Sequence, residues 1–138
     1  MTLFAGPEYA SYIALCRELR LEREFEVGDW ALRIITKDGS RTARYLMTSD
    51  AVAIWPAAEE MMVWLPRLDQ WVAMLEEAGF PYVHIERFGR RKYVCAVAST
   101  GEEPPHDHTR SAGSWLTREE ACARTWRAVT TWPPVEPE

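Results

Sequence analysis

The clearest local signal in the chain is the stretch PRLDQWVAMLEEAGFP, residues 66–81. Its apolar side chains recur at the spacing of one helix face, which predicts a helix over residues 66–78. Those side chains are Leu68, Trp71, Val72 and Leu75. Gly79 follows where a left-handed residue ends a helix, and Pro81 prevents its continuation. The stretch therefore predicts an amphipathic helix with one buried face in the middle of the chain.

Extended segments flank this helix on both sides. Before it, residues 30–35 and 41–47 surround the turn signal Lys37-Asp-Gly-Ser40, and residues 51–55 suggest a third short strand. After it, residues 81–88 and 91–98 surround Gly89-Arg90. Two antiparallel hairpins are predicted, one on each side of the helix.

Two further helices complete the pattern. One is predicted over residues 7–23, with Pro7 in its first turn. The other follows Thr117-Arg-Glu-Glu120, a capping box in which the threonine oxygen and the glutamate carboxylate bind backbone N–H groups. Residues 100–114, between the second hairpin and this helix, are polar and are predicted to form a long loop.

These elements predict an α+β fold. We expect a single domain over residues 1–132, with an antiparallel or mixed sheet of four to five strands from the two hairpins and three helices packed on it. Residues 133–138 are expected to form a flexible tail.

Composition places the chain among ordinary globular proteins. It has 138 residues, a formal net charge of −5, 47% hydrophobic and 27% charged residues. No apolar run approaches the length of a membrane span, and no secretory signal is visible at the N-terminus, so a cytoplasmic protein is expected. The three cysteines are widely spaced and apolar in context, which predicts reduced core residues: Cys16, Cys95 and Cys122.

No established catalytic signature is present. The chain lacks the glycine-rich phosphate loops and the GxSxG nucleophile turn, so no cofactor is predicted and a non-enzymatic role is favoured. The alternative is a metal-dependent hydrolase or nuclease that uses His106 and His108 as ligands. Such a site needs a third ligand that no recognised spacing supplies, and we favour a solvated loop.

A local basic cluster is the favoured binding site. It comprises Arg87, Arg90, Arg91 and Lys92, which Arg33, Arg41 and Arg44 would join if both hairpins belong to one sheet. Arginine forks bind carboxylates or phosphates, so a small anionic ligand or an acidic protein surface is expected. Duplex DNA is not expected as a partner, because binding it requires neutralising many phosphates. The alternative is a charged turn that only keeps the sheet edge from aggregating.

The segment MMVWLPR, residues 61–67, is more apolar than a connection requires. Burial at the entry to the central helix is favoured. Exposure would instead make Met61, Met62 and Trp64 an adaptable contact patch.

Two sequence motifs resemble small uncharacterised proteins of phages and prophages. They are Val27-Gly-Asp-Trp30 and Trp64-Leu-Pro-Arg-Leu-Asp-Gln70, the latter followed by Met74-Leu75. Residues 93–98 and 117–129 are similar to the α-β-α sandwich domains of such proteins. The resemblance implies an accessory phage protein that acts on a component of the bacterial host, as an inhibitor of a host defence protein or by sequestering a small anionic ligand. The oligomeric state is left open, a homo-oligomer included.

Overall fold

The computed structural model describes residues 3–21, 24–49, 52, 62–87, 89–90, 92–98 and 110–131. The chain divides into two compact units, Met1–Arg67 and Leu68–Glu138. Each unit contains one three-stranded antiparallel sheet and at least one helix. The α+β class predicted from the sequence is confirmed. The prediction of one domain over residues 1–132 stays a prediction.

The first unit begins with a helix that is shorter than predicted. A 3₁₀ turn at Pro7–Tyr9 leads into α1, Ala10–Leu19. Arg20 then adopts a left-handed backbone conformation (φ 45°), and its N–H still binds the Cys16 carbonyl at 3.0 Å. This left-handed cap ends the helix before residue 23.

Three strands form the sheet of the first unit, in the order β2-β1-β3. They are β1 (Trp30–Ile34), β2 (Thr42–Leu46) and β3 (Met62–Trp64). The central strand β1 buries both faces: Ala31 packs with Met47 and Met62, while the alternate residue Leu32 is also buried. Because β1 has a neighbour on each side, its backbone hydrogen bonds are shared between two partners.

The two motifs that carried the phage resemblance contact each other in this unit. Leu65 donates its backbone N–H to the Trp30 carbonyl at 2.9 Å, and Arg67 Nη1 donates to the Gly28 carbonyl at 2.6 Å. Tyr12, fully buried, donates its hydroxyl to the Pro66 carbonyl at 2.5 Å. The residues from Met62 to Pro66 are buried, so the described part of the segment 61–67 packs inside as favoured.

The second unit contains α2 (Leu68–Glu77), β4 (Tyr82–Arg87), β5 (Tyr93–Ala98), β6 (Arg110–Trp115) and α3 (Arg118–Thr131). The sheet order is β4-β5-β6. Helix α2 confirms the central prediction, since it occupies residues 68–77 and Gly79 has a φ of +101°. Helix α3 packs on β5 and β6, and α2 packs on α3.

Two sheets of three strands replace the single sheet of four to five strands that the sequence predicted. The pairs β1–β2 and β4–β5 form at the predicted hairpins, but each pair takes a third strand. Strand β6 lies partly in what was predicted to be a loop, residues 100–114. Its sequence, RSAGSW, has no β-branched residue and no apolar alternation, so pairing with β5 decides its conformation.

Several predictions fall outside the described residues. The whole of the predicted tail at 133–138 lies outside them. Of the suggested strand at 51–55 only Val52 is described, and it is helical. No helix among the described residues is long and apolar enough to span a bilayer.

The core of the second unit is built around Trp71, which is completely buried on α2. Its ring centroid lies 5.7 Å from that of Trp126 on α3. Beneath α3, the sulfur of Cys122 lies 3.4 Å from that of Cys95 on β5. All three cysteines of the chain are buried free thiols, as the sequence predicted.

Candidate functional site

The basic turn predicted from the sequence connects β4 to β5. Arg87, Arg90 and Lys92 are exposed, and Arg91 lies outside the described residues. Gly89 takes a positive φ of 64° in this turn, and its carbonyl accepts a hydrogen bond from Arg87 Nε at 2.9 Å. The turn therefore presents three described cations at one end of the sheet.

Strand register extends this basic end onto α3. Arg87 pairs with Tyr93 and Tyr93 pairs with Trp115, so the three residues form one row across the sheet. The guanidinium of Arg118 lies 4.6 Å above the Tyr93 ring centroid, within the range of a cation–π interaction. We call Arg87, Arg90, Lys92 and Arg118 the arginine end.

The remaining predicted cations belong to another sheet. Arg33, on β1, and Arg44, on β2, are exposed, as is Arg41 just before β2. The sequence argument joined them to the basic turn on the condition that both hairpins share one sheet. Among the described residues the two hairpins lie in separate sheets, so that condition is not met and the argument for adding these arginines is lost.

A second cationic group, which sequence analysis missed, lies on α3. Arg124 directs Nε and Nη2 to the same carboxylate oxygen of Glu120, each at 3.1 Å. Its guanidinium carbon lies 4.1 Å from the Trp115 ring centroid. Glu120 has a side chain only 1% exposed, whereas that of Arg124 is 21% exposed. The arginine is therefore held on two sides, by a buried carboxylate and by an aromatic ring.

A cavity of about 260 Å³ lies beside this group. It is lined by Trp115, Arg124, Arg127, Ala128 and Thr131, and we call it the α3 cavity. The four helical residues are spaced i, i+3, i+4 and i+7, which places them on one stripe of α3. Trp115, on the edge strand β6, forms the other wall.

The α3 cavity left only a partial sequence signal. Glu120 and Arg124 have the i, i+4 spacing of a helical ion pair, and Arg127 follows one turn later. Trp115 becomes a wall of the cavity only because β6 pairs with β5, and residues 110–114 of that strand were predicted to be loop.

The neighbouring thiols of Cys95 and Cys122 are buried between β5 and α3. Cys122 donates its S–H to the Cys95 sulfur, and this hydrogen bond, followed by burial, raises the pKa of Cys122 well above its usual value. Thr125 donates its hydroxyl to the Cys95 carbonyl at 3.1 Å and ties α3 to β5. The same hydrogen bond lowers the pKa of Cys95, but both side chains are fully buried and closed to a substrate, so we assign the pair a packing role.

The metal alternative gains no support from the described residues. His106 and His108 lie outside them, and within them no group of three His, Cys, Asp or Glu side chains is arranged to hold a metal ion. His84 is exposed on β4 and lies 3.6 Å from the Glu86 carboxylate.

Comparisons with known protein families, curated proteins and solved structures gave no match to this chain. The resemblance to phage accessory proteins therefore stays a prediction.

Proposed function

We propose that this chain is a non-enzymatic binding protein whose arginine end docks on an acidic surface of a partner protein. The observation that carries the proposal is the convergence of Arg87, Arg90, Lys92 and Arg118 at one end of the second sheet. A cluster of local cations on a chain with a net charge of −5 favours a local acidic partner over a long polyanion.

The arginine end combines adaptable and fixed cations. Arg90 and Lys92 are exposed turn residues, so the free protein spends little desolvation energy on them. Arg118 is also exposed but stacks on Tyr93, and a stacked guanidinium keeps its in-plane N–H groups available for a carboxylate. Electrostatic complementarity of this kind sets partner choice and association rate.

The biological setting we propose rests on the phage resemblance of residues 27–30 and 64–70. In that setting the partner is a protein of the bacterial host, and binding inhibits it. The contacts between the two motifs, the Leu65–Trp30 and Arg67–Gly28 hydrogen bonds, lie in the first unit. We assign these contacts a role in the fold of the first unit. Contact with the partner is assigned to the arginine end.

Charge reversal tests the proposal. The variant Arg90→Glu with Lys92→Glu should bind a labelled peptide of alternating glutamate and serine at least about tenfold more weakly than the wild type, because attraction becomes repulsion at the same positions. Fluorescence anisotropy measures the affinity. Wild-type binding should also weaken with salt, since the Debye length falls from about 10 Å at 0.1 M to about 3 Å at 1 M.

The matched control is Lys37→Glu, which reverses an exposed cation in the β1–β2 turn. It should leave peptide affinity within about twofold of the wild type, because a single exposed charge outside the binding surface contributes little. Equal affinity of the wild type and the double variant would contradict the proposal and leave the basic turn as a solubilising element.

A further inference from the structure

The α3 cavity contains a guanidinium whose position is fixed before any ligand binds. Two of the five N–H donors of Arg124 are directed to Glu120, and no described residue accepts from the other three. Glu120 is buried and Trp115 lies against the guanidinium face, so the side chain has little freedom to lose on binding. Preorganised donors of this kind are typical of oxyanion sites.

Trp115 supplies a second indication of a ligand. Its indole Nε1–H is buried and finds no acceptor among the described residues. A buried donor without an acceptor is unfavourable by itself, and such groups in native proteins are usually satisfied by water or by a ligand. Nε1 itself is closed to solvent, so an oxygen atom in the cavity that Trp115 lines reaches it only when the indole shifts on ligand binding.

Size and lining limit what the cavity can hold. A volume of about 260 Å³ is near the lower end of the usual range for small-molecule sites, about 300–1,000 Å³, and so suits a small organic molecule. Arg127 contributes a second guanidinium one turn from Arg124, and Ala128 and the Trp115 ring contribute apolar surface. A compact anion with one apolar face fits both parts of the lining.

We propose that the α3 cavity is a binding site for a small organic oxyanion, a carboxylate or phosphate attached to a compact apolar group. Its charged oxygens bind Arg124 and Arg127, and its apolar part lies against Trp115 and Ala128. This site uses none of the four residues of the arginine end, so it goes beyond the proposed function.

The test follows the Trp115 indole resonance in a ¹⁵N–¹H spectrum, assigned with Trp115→Phe, during titration with benzoate. Benzamide, which has the same shape without the charge, is the ligand control, and inorganic phosphate is the second anion. Benzoate should shift the resonance with saturation, and benzamide should not at the same concentrations. No saturable shift with either anion up to tens of millimolar, or an equal response to benzamide, would overturn the proposal.

Variants locate the binding to the cavity. Arg127→Gln should weaken benzoate about tenfold, the effect of losing one charge-assisted hydrogen bond. Ala128→Leu should block benzoate by filling the space without changing any charge. Lys37→Gln removes a cation in the other unit and should leave the affinity unchanged. Thermal melts of each variant establish that it is folded.

If Arg127→Gln and Ala128→Leu are folded and bind benzoate as the wild type does, the site is not the α3 cavity. Benzoate titration involves no acidic peptide, and peptide binding requires no benzoate. The oxyanion site and the arginine end therefore succeed or fail in separate measurements.

Discussion

At the scale of single residues, burial decides which predicted side chains matter for stability. Trp71 is completely buried whereas Trp126, its partner at 5.7 Å, is half-buried, although helical spacing places each among the apolar residues of its helix. Helical spacing identifies the inward face of each helix, but the depth of burial depends on which elements pack against that face. The sequence therefore identifies the pair without ranking its members.

Replacing Trp71 by alanine should lower the free energy of unfolding by about 3–5 kcal/mol, as for other large core aromatics. Trp126→Ala should cost less, because part of its ring already contacts solvent. Urea denaturation of both variants measures the difference, with Tyr82→Ala, at a side chain 53% exposed, as the control. A Trp71→Ala melting temperature within a few degrees of the wild type would contradict this placement.

Asp38 gives a pH-dependent prediction at the same scale. The Thr36 hydroxyl, then the Ser40 backbone N–H and the Ser40 hydroxyl, hold the pKa of this turn carboxyl at about 2, below its usual 3.8. Because the folded pKa is the lower one, the ionised carboxyl stabilises the fold fully above about pH 4 and loses that effect as the pH falls toward 2. Asp38 is exposed, so the effect is small.

The measurement is the difference in melting temperature between the wild type and Asp38→Asn from pH 5 to pH 2. That difference should be largest near pH 5 and shrink toward pH 2, because protonation turns the wild-type carboxyl into a neutral group like the amide. A difference that stays constant over this range would show that the ionised carboxyl does not stabilise the turn.

At the scale of elements, the sequence predicts helices better than strands here. Helix α2 carries its own start, periodicity and stop, so its bounds differ from the prediction by two residues at one end and one at the other. Strand β6 carries no such local information, and its pairing with β5 comes from the tertiary fold. The same limit applies to the α3 cavity, whose helical wall is visible as residue spacing while its other wall is on β6.

Thr117 caps the start of helix α3, as predicted for the threonine of the capping box. Thr117 is 4% exposed, and its hydroxyl oxygen accepts the Glu120 backbone N–H at 3.1 Å. Thr117→Ala should therefore lower the free energy of unfolding by about 1 kcal/mol, and Thr117→Ser should restore most of it because serine keeps the acceptor. Denaturation midpoints measure both, and equal destabilisation by serine and alanine would assign the loss to packing of the threonine methyl group.

At the scale of the whole molecule, the chain divides into two compact units, whereas the sequence predicts a single domain. The units have 67 and 71 residues, from the division at Arg67 and Leu68. Domains of about this size bury only about 60% of the surface of their unfolded chains, and their stability alone is small. This limited burial supports the prediction that residues 1–132 unfold cooperatively.

Cooperativity can be tested by weakening one unit and observing the other. In Tyr12→Phe the Pro66 carbonyl loses the buried hydroxyl that binds it at 2.5 Å, and the first unit should lose about 1–3 kcal/mol. If the chain is one domain, hydrogen exchange of the slowest amides in β1 and in β5 should accelerate by the same factor, although β5 belongs to the second unit. Acceleration confined to β1 would mean two domains, each with its own unfolding equilibrium, and the boundary would then lie at Arg67 and Leu68.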